Sequence, residues 1–203
     1  VSAFTGHAEG RHAPGHADLQ EALAVSHHLL LSHGLAVPVI RGNCPKASVG
    51  ITLNLTPKVP ASPSVADRDA TVWDDGYNNR WLLDPLVGRG YPQDMVNGFG
   101  DALSFVQAGD LDLISTPVDF VGVNYYTRNI VRSKKIGEAE NAPFTVLRGD
   151  EITEMDWEVY PEGLYKILGR LYFDYDFPAI YVTENGAAFR DRVGANGEVD
   201  DPA

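Results

Sequence analysis

One cysteine, Cys44, is all that the 203 residues contain. It excludes an internal disulfide and fits a reducing compartment, so a cytoplasmic location is the expectation. Basic residues are scarce too, with 16 Lys and Arg against 28 Asp and Glu and a formal net charge of -12. That balance argues against a phosphate-backbone partner, and no basic cluster with interleaved aromatics offsets it, so no nucleic acid is expected. The sequence reads as lacking an apolar stretch long enough to cross a bilayer, which leaves no membrane partner in view. Neither a Gly-x-Gly-x-x-Gly nor a Walker-type loop occurs, so no nucleotide cofactor is implied. Low-complexity segments are absent as well.

What is present is ordinary for a globular protein: 44% hydrophobic and 22% charged residues. Apolar runs alternate with helical patterns, the order expected of β/α units on a parallel sheet. Residues 18–32 read as a helix, with Asp18 as cap, Leu19, Ala22, Leu23 and Leu30 on one face, and Gly34 suited to the C-terminal turn. Pro38 and the run Gly42-Asn43-Cys44-Pro45 bear on how that helix ends. A strand at 48–53 is broken off by Pro57, Pro60 and Pro63, and a helix follows at 65–79. Short helical turns at 94–99 and 110–114 precede a second strand at 120–124, a polar loop at 133–153, a proline-opened helix at 161–173 and a third strand at 178–182.

Three strands with their helices make a single domain, 1–203, that cannot close an eight-stranded barrel, which takes about 250 residues. Its outer strands would present unpaired edges, and the faces meant for absent neighbours would remain apolar. The isolated chain is therefore expected to fold poorly or to associate.

The third strand ends in Ile180-Tyr181-Val182-Thr183-Glu184-Asn185-Gly186, which puts a carboxylate where an apolar run stops and a glycine turn begins. An unpaired acid at the end of a buried strand would lose hydration or take up a proton, so Glu184 implies either partners or a ligand. It could cap the next segment or pair with Arg190. It could also serve chemistry, because barrel enzymes gather their reactive groups at the C-terminal ends of strands. The histidines give no such signal: His27 and His28 are adjacent, and His33 makes no i, i+4 pair with either, so no metal site is expected among them.

Further segments turn these readings into a resemblance. Val1-Ser2-Ala3-Phe4-Thr5-Gly6-His7 leads to Ala13-Pro14-Gly15, followed by His27-His28-Leu29-Leu30-Leu31-Ser32-His33-Gly34 and Gly50-Ile51-Thr52-Leu53-Asn54. Then come Asp119-Phe120-Val121-Gly122-Val123-Asn124-Tyr125-Tyr126, Trp157-Glu158-Val159-Tyr160-Pro161-Glu162-Gly163-Leu164 and Tyr181 to Ala187. In this order they closely resemble family 1 glycoside hydrolases, the retaining β-glucosidases and their relatives, over essentially the whole chain.

That resemblance implies an α/β fold, part of a TIM (β/α)8 barrel from about helix 4 to strand 7. It implies Glu184 as the nucleophile and Tyr126 as the hydroxyl that orients it, with Asn54, Asn124 and Trp157 contacting a small β-glucoside or oligosaccharide. No cofactor and no metal are implied. The family's general acid/base is the Glu of an Asn-Glu-Pro motif expected a few residues before Val1, and its last sugar-binding residues are expected beyond Ala203. On that basis the isolated 203 residues are expected to be inactive. A 6-phospho-β-glycosidase or a β-galactosidase of the same family, and a non-catalytic glycan-binding barrel, are the alternatives.

Overall fold

A computed structural model describes residues 3–136 and 145–199. The middle of the polar loop expected at 133–153 lies outside the described residues.

Helix α1, Leu19–Asn43, starts where Asp18 adopts an extended backbone and its side chain accepts the Glu21 N–H. It runs well past the end expected near residue 32. Gly34 does not turn the chain: a Cβ there would lie 2.1 Å from the Leu113 carbonyl oxygen, so the glycine is where α1 is crossed by another helix at backbone distance. Pro38 sits inside the helix on its exposed side, and burial stops at Val37. By length and composition α1 could also cross a bilayer, contrary to the reading of the sequence. Its buried face shows a different use, since Ala22, Leu23, Leu30 and Val37 pack into the protein beside a fully buried, hydrogen-bonded His27.

Strand β1, Gly50–Asn54, is followed by the short β2, Lys58–Pro60, which the prolines concealed in the sequence. Helix α2, Val65–Asp75, passes through a π-helical turn, Gly76–Arg80, into α3, Trp81–Leu86. The helix expected at 65–79 is therefore longer and changes pitch. The reason is local: Asn79 lies buried on that turn and pairs with both backbone groups of Thr56, as donor to the oxygen at 2.9 Å and acceptor from the nitrogen at 3.2 Å. Helices α4, Gln93–Phe99, and α5, Asp110–Ile114, lead to β3, Phe120–Tyr125, and the small β4, Asn129–Val131. Helix α6, Pro161–Arg170, opens on its proline and ends in a π-helical turn, Leu171–Tyr175, before β5, Ile180–Asn185.

The main sheet is parallel, in the order β1-β3-β5, and β2 pairs in parallel with β4. Leu53, Val121, Val123 and Tyr125 point to one face, where they meet Leu30, Leu83, Leu86, Ile114, Ile167 and Leu171 from the helices. The other face is bare. Thr52, Asn54, Tyr181 and Thr183 are exposed on it, and Gly122 at its centre is forced to be small, because a Cβ would lie 2.3 Å from Thr52 Oγ1. A second cluster joins Phe4, Leu23, Trp81 and Met95; within it Trp81 stacks on Tyr91 at 3.9 Å and donates its indole N–H to Ser26 at 2.8 Å.

Candidate active site

Side chains alternate between the two faces of a strand, so the bare face receives Asn124 from β3 and, at the same parity just beyond its end, Tyr126. Register carries this level across the sheet. Asn54 stands opposite Asn124 in β1, and Asn124 stands opposite Glu184 in β5. The row lies at the C-terminal ends of all three strands.

Simple alternation along β5 would send Glu184 to the helix-covered face if Tyr181 and Thr183 lie on the bare one. A register shift between Val123 and Asn124 changes that. The strand bulges, and both Thr183 and Glu184 reach the bare face: Thr183 donates to Asn124 Oδ1 at 2.7 Å, and the Tyr126 hydroxyl donates to Glu184 Oε2. Asn185 then donates to the Tyr125 carbonyl at 2.8 Å, fixing the strand immediately after the carboxylate. Bulges of this kind re-aim a side chain at small cost to the sheet. The bond to the carboxylate holds the Tyr126 phenol above its ordinary pKa, so it stays a neutral donor.

Trp157 comes from the loop before α6, half-buried, with its ring 5.2 Å from that of Tyr126. Its position is set by its neighbour. Glu158 is buried and receives Arg128 through Nε and Nη2, both at 2.8 Å, together with the Gly149 N–H at 2.8 Å. Thr127 adds a bond to the Glu158 carbonyl at 2.8 Å, and the Arg128 guanidinium lies 4.1 Å from the Tyr160 ring centre. The Arg128 contact holds the Glu158 carboxyl below its usual pKa. This pair ties the loop bearing Trp157 to the segment bearing Tyr126.

All five residues singled out from the sequence therefore meet on one face: Glu184, Tyr126, Asn124, Asn54 and Trp157. Arg190 lies 3.7 Å from Glu154, not on Glu184. Sequence reasoning missed Arg128, Glu158 and Thr183. Nothing in their spacing marks them, since Arg128 and Glu158 are 30 residues apart and meet only through the loop's return.

One cleft among the described residues, about 500 Å3, is lined by Arg128, Arg148, Trp157 and Glu158 but not by Glu184 or Tyr126. A smaller one of about 250 Å3 reaches from Tyr126 to Asn185 and Gly186. Cleft volume is a poor guide here, because a three-stranded sheet walls its bare face on one side only; the convergence of carboxylate, phenol and indole is the stronger signal. Of the histidines of α1, His27 is fully buried and His28 is exposed. His27 bonds Tyr91 through Nδ1 at 2.9 Å and Asp110 through Nε2 at 3.0 Å, and His28 Nδ1 faces the Ala24 carbonyl at 2.7 Å.

Comparison with known proteins is consistent along the whole chain. Over 99% of its length it is 42% identical to β-glucosidase A of Acetivibrio thermocellus, of which it covers 46%. It is 34% identical to a 6-phospho-β-glucosidase of Bacillus subtilis over 90% of its length, covering 43% of that protein. The crystal structure of a β-glucosidase from Exiguobacterium antarcticum superposes with a TM-score of 0.86 at 41% identity, over 98% of this chain and 45% of the other. Virulence factor SghA in complex with its substrate analog salicin gives 0.87 at 37% identity, over 98% and 44%. The chain thus spans a little under half the length of the relatives it matches, and its α/β architecture is a segment of their barrel. Glycosyl hydrolase family 1 matches residues 1–203, and the chain belongs to that family.

Proposed function

We propose that the protein carrying this chain hydrolyses β-glucosidic bonds at the non-reducing end of glucosides or cello-oligosaccharides, with retention of anomeric configuration. In this reading the 203 residues are one incomplete domain, running from about helix 4 to strand 7 of the barrel. Retaining enzymes use two carboxyl groups about 5 to 5.5 Å apart: one attacks the anomeric carbon, the other protonates the leaving oxygen and then activates water. Glu184 is the attacking group. The observation that carries this is the Tyr126 hydroxyl on its carboxylate, at the ends of parallel strands and beside an indole.

The bond leaves one carboxylate oxygen free to attack while the phenol orients the other. Asn124 and Asn54, in the same row, offer amide donors and acceptors to sugar hydroxyls, and Trp157 offers a flat apolar face to the ring or aglycone. No Asn-Glu-Pro tripeptide occurs within these residues, so the proton donor comes from elsewhere in the intact protein. A 6-phospho-β-glycosidase is the second reading, favoured by the likeness to the Bacillus subtilis enzyme. The test is hydrolysis of aryl β-glucoside and its 6-phosphate by the full-length protein, with the first-formed anomer followed by nuclear magnetic resonance. The β anomer of glucose is the expected product; the α anomer, or turnover of the 6-phosphate alone, contradicts the proposal.

A further inference from the structure

Three potential ligands meet at the start of α1, on elements that contribute nothing to the Glu184 row. His7 lies on a π-helical turn, Phe4–Ala8, with its side chain 18% exposed; His16 lies in the following loop, 53% exposed; Glu21 lies in the first turn of α1, 38% exposed. Both imidazoles turn the same nitrogen, Nδ1, toward the same oxygen, Glu21 Oε1, each at 2.7 Å. Their rings pack edge to face, 5.6 Å apart at 84°, so the two nitrogens fan around a common point. The three ligand atoms lie within 4.8 Å of one another.

The backbone holds this arrangement independently of the side chains. Asp18 N–H donates to the His7 carbonyl at 2.7 Å, His16 N–H donates to the Gly6 carbonyl at 3.0 Å, and Glu21 is anchored by the Asp18 cap at 3.0 Å. Each histidine is therefore fixed at, or one residue from, a backbone bond that closes the loop onto the helix.

We propose that His7, His16 and Glu21 form a site for a divalent transition-metal ion, with Zn2+ the best match. Two imidazoles and one carboxylate are a donor set that zinc takes readily, with metal–ligand bonds of about 2.0–2.2 Å and a fourth position for water. Tetrahedral bonds of that length separate ligand atoms by about 3.4 Å, so each 2.7 Å contact must open by roughly 0.7 Å, within reach of the partly exposed Glu21 side chain. On binding, each imidazole presents Nδ1 as a lone pair and carries its proton on Nε2. Harder ions such as Mg2+ prefer all-oxygen sets and are not expected to compete.

The test uses the full-length protein without a polyhistidine tag, stripped with a chelator and titrated with Zn2+ by calorimetry and with Co2+ by visible absorption. One ion per chain is expected, with a rise in melting temperature under saturating Zn2+. Changing an outer partner of a metal ligand already costs about 10–100-fold in affinity, so His7→Gln and His16→Gln, which remove a ligand, should each lose at least that much. His16 is the safer variant, because its ring is half-exposed and its loss leaves the Gly6 backbone bond in place. No binding by the unaltered protein overturns the proposal. So does binding by the His16→Gln and doubly substituted proteins that equals that of the unaltered protein, since His7 and His16 would then only share a carboxylate.

Discussion

At the scale of single residues, the proposed chemistry turns on how one carboxylate is aimed. Tyr126 donates to Glu184, and the β5 bulge is what brings the two together. Hydrogen bonds to charged groups are among the stronger ones, so Tyr126→Phe should slow glycosyl-enzyme formation in the full-length protein by roughly tenfold to a hundredfold. Pre-steady-state release of the aryl group checks this, and an unchanged rate would remove Tyr126 from the mechanism. The acid itself was legible in the sequence, because a lone Glu ending an apolar run requires a partner or a ligand to hold its charge. Its direction was not. Period-two alternation from Tyr181 sends Glu184 to the wrong face, and only the register shift, a property of strand pairing, corrects it.

At the scale of elements, two ion-paired ties hold the frame around the site. Arg170 of α6 grips Asp75 at the end of α2 through two bonds of 2.6 and 3.0 Å, and Arg80 adds a third contact at 3.3 Å. Removing the carboxylate charge leaves two guanidinium groups facing one another with less compensation. Asp75→Asn should cost about 2–4 kcal/mol in urea unfolding of the full-length protein, near the lower range for a broken buried pair. Glu158 is the second tie. Its carboxyl is held below the ordinary value in the folded state, so its contribution is present above the unfolded pKa of about 4.3 and is lost as pH falls through the folded one. Glu158→Gln should therefore lower stability near pH 7 and have less effect near pH 3; an equal loss at both would contradict the sign.

Caps and periodicity locate elements correctly at Asp18, Pro161 and the strand at 120–124. They mislead where packing overrides local signals. Gly34 and Pro38 look like stop signals, yet α1 continues because α5 crosses it at Gly34 and Pro38 faces solvent. Strands β2 and β4 hid behind prolines and shortness, since two such brief segments, distant in sequence, acquire meaning only by pairing with each other.

At the scale of the whole molecule, the sheet has helices on one face and a bare face on the other. Strands β1 and β5 are its edges. Tyr181 is 55% exposed on the bare side, and Phe173 is 81% exposed beyond α6. Such edges and apolar surface favour association, so the 203 residues produced alone should form oligomers or melt without a sharp transition. Light scattering and a thermal scan check this, and a monomer with a cooperative melt would contradict it. That outcome bears on the isolated chain alone, whereas the proposed hydrolysis stands or falls with Glu184.

A fluorinated glucoside that accumulates as a covalent intermediate, added to the full-length protein and followed by peptide mass mapping, reads the role of Glu184 without intermediaries. The sugar is expected on the peptide containing Tyr181 to Gly186, attached to Glu184 and absent in Glu184→Gln. Label on any other carboxylate would contradict the assignment.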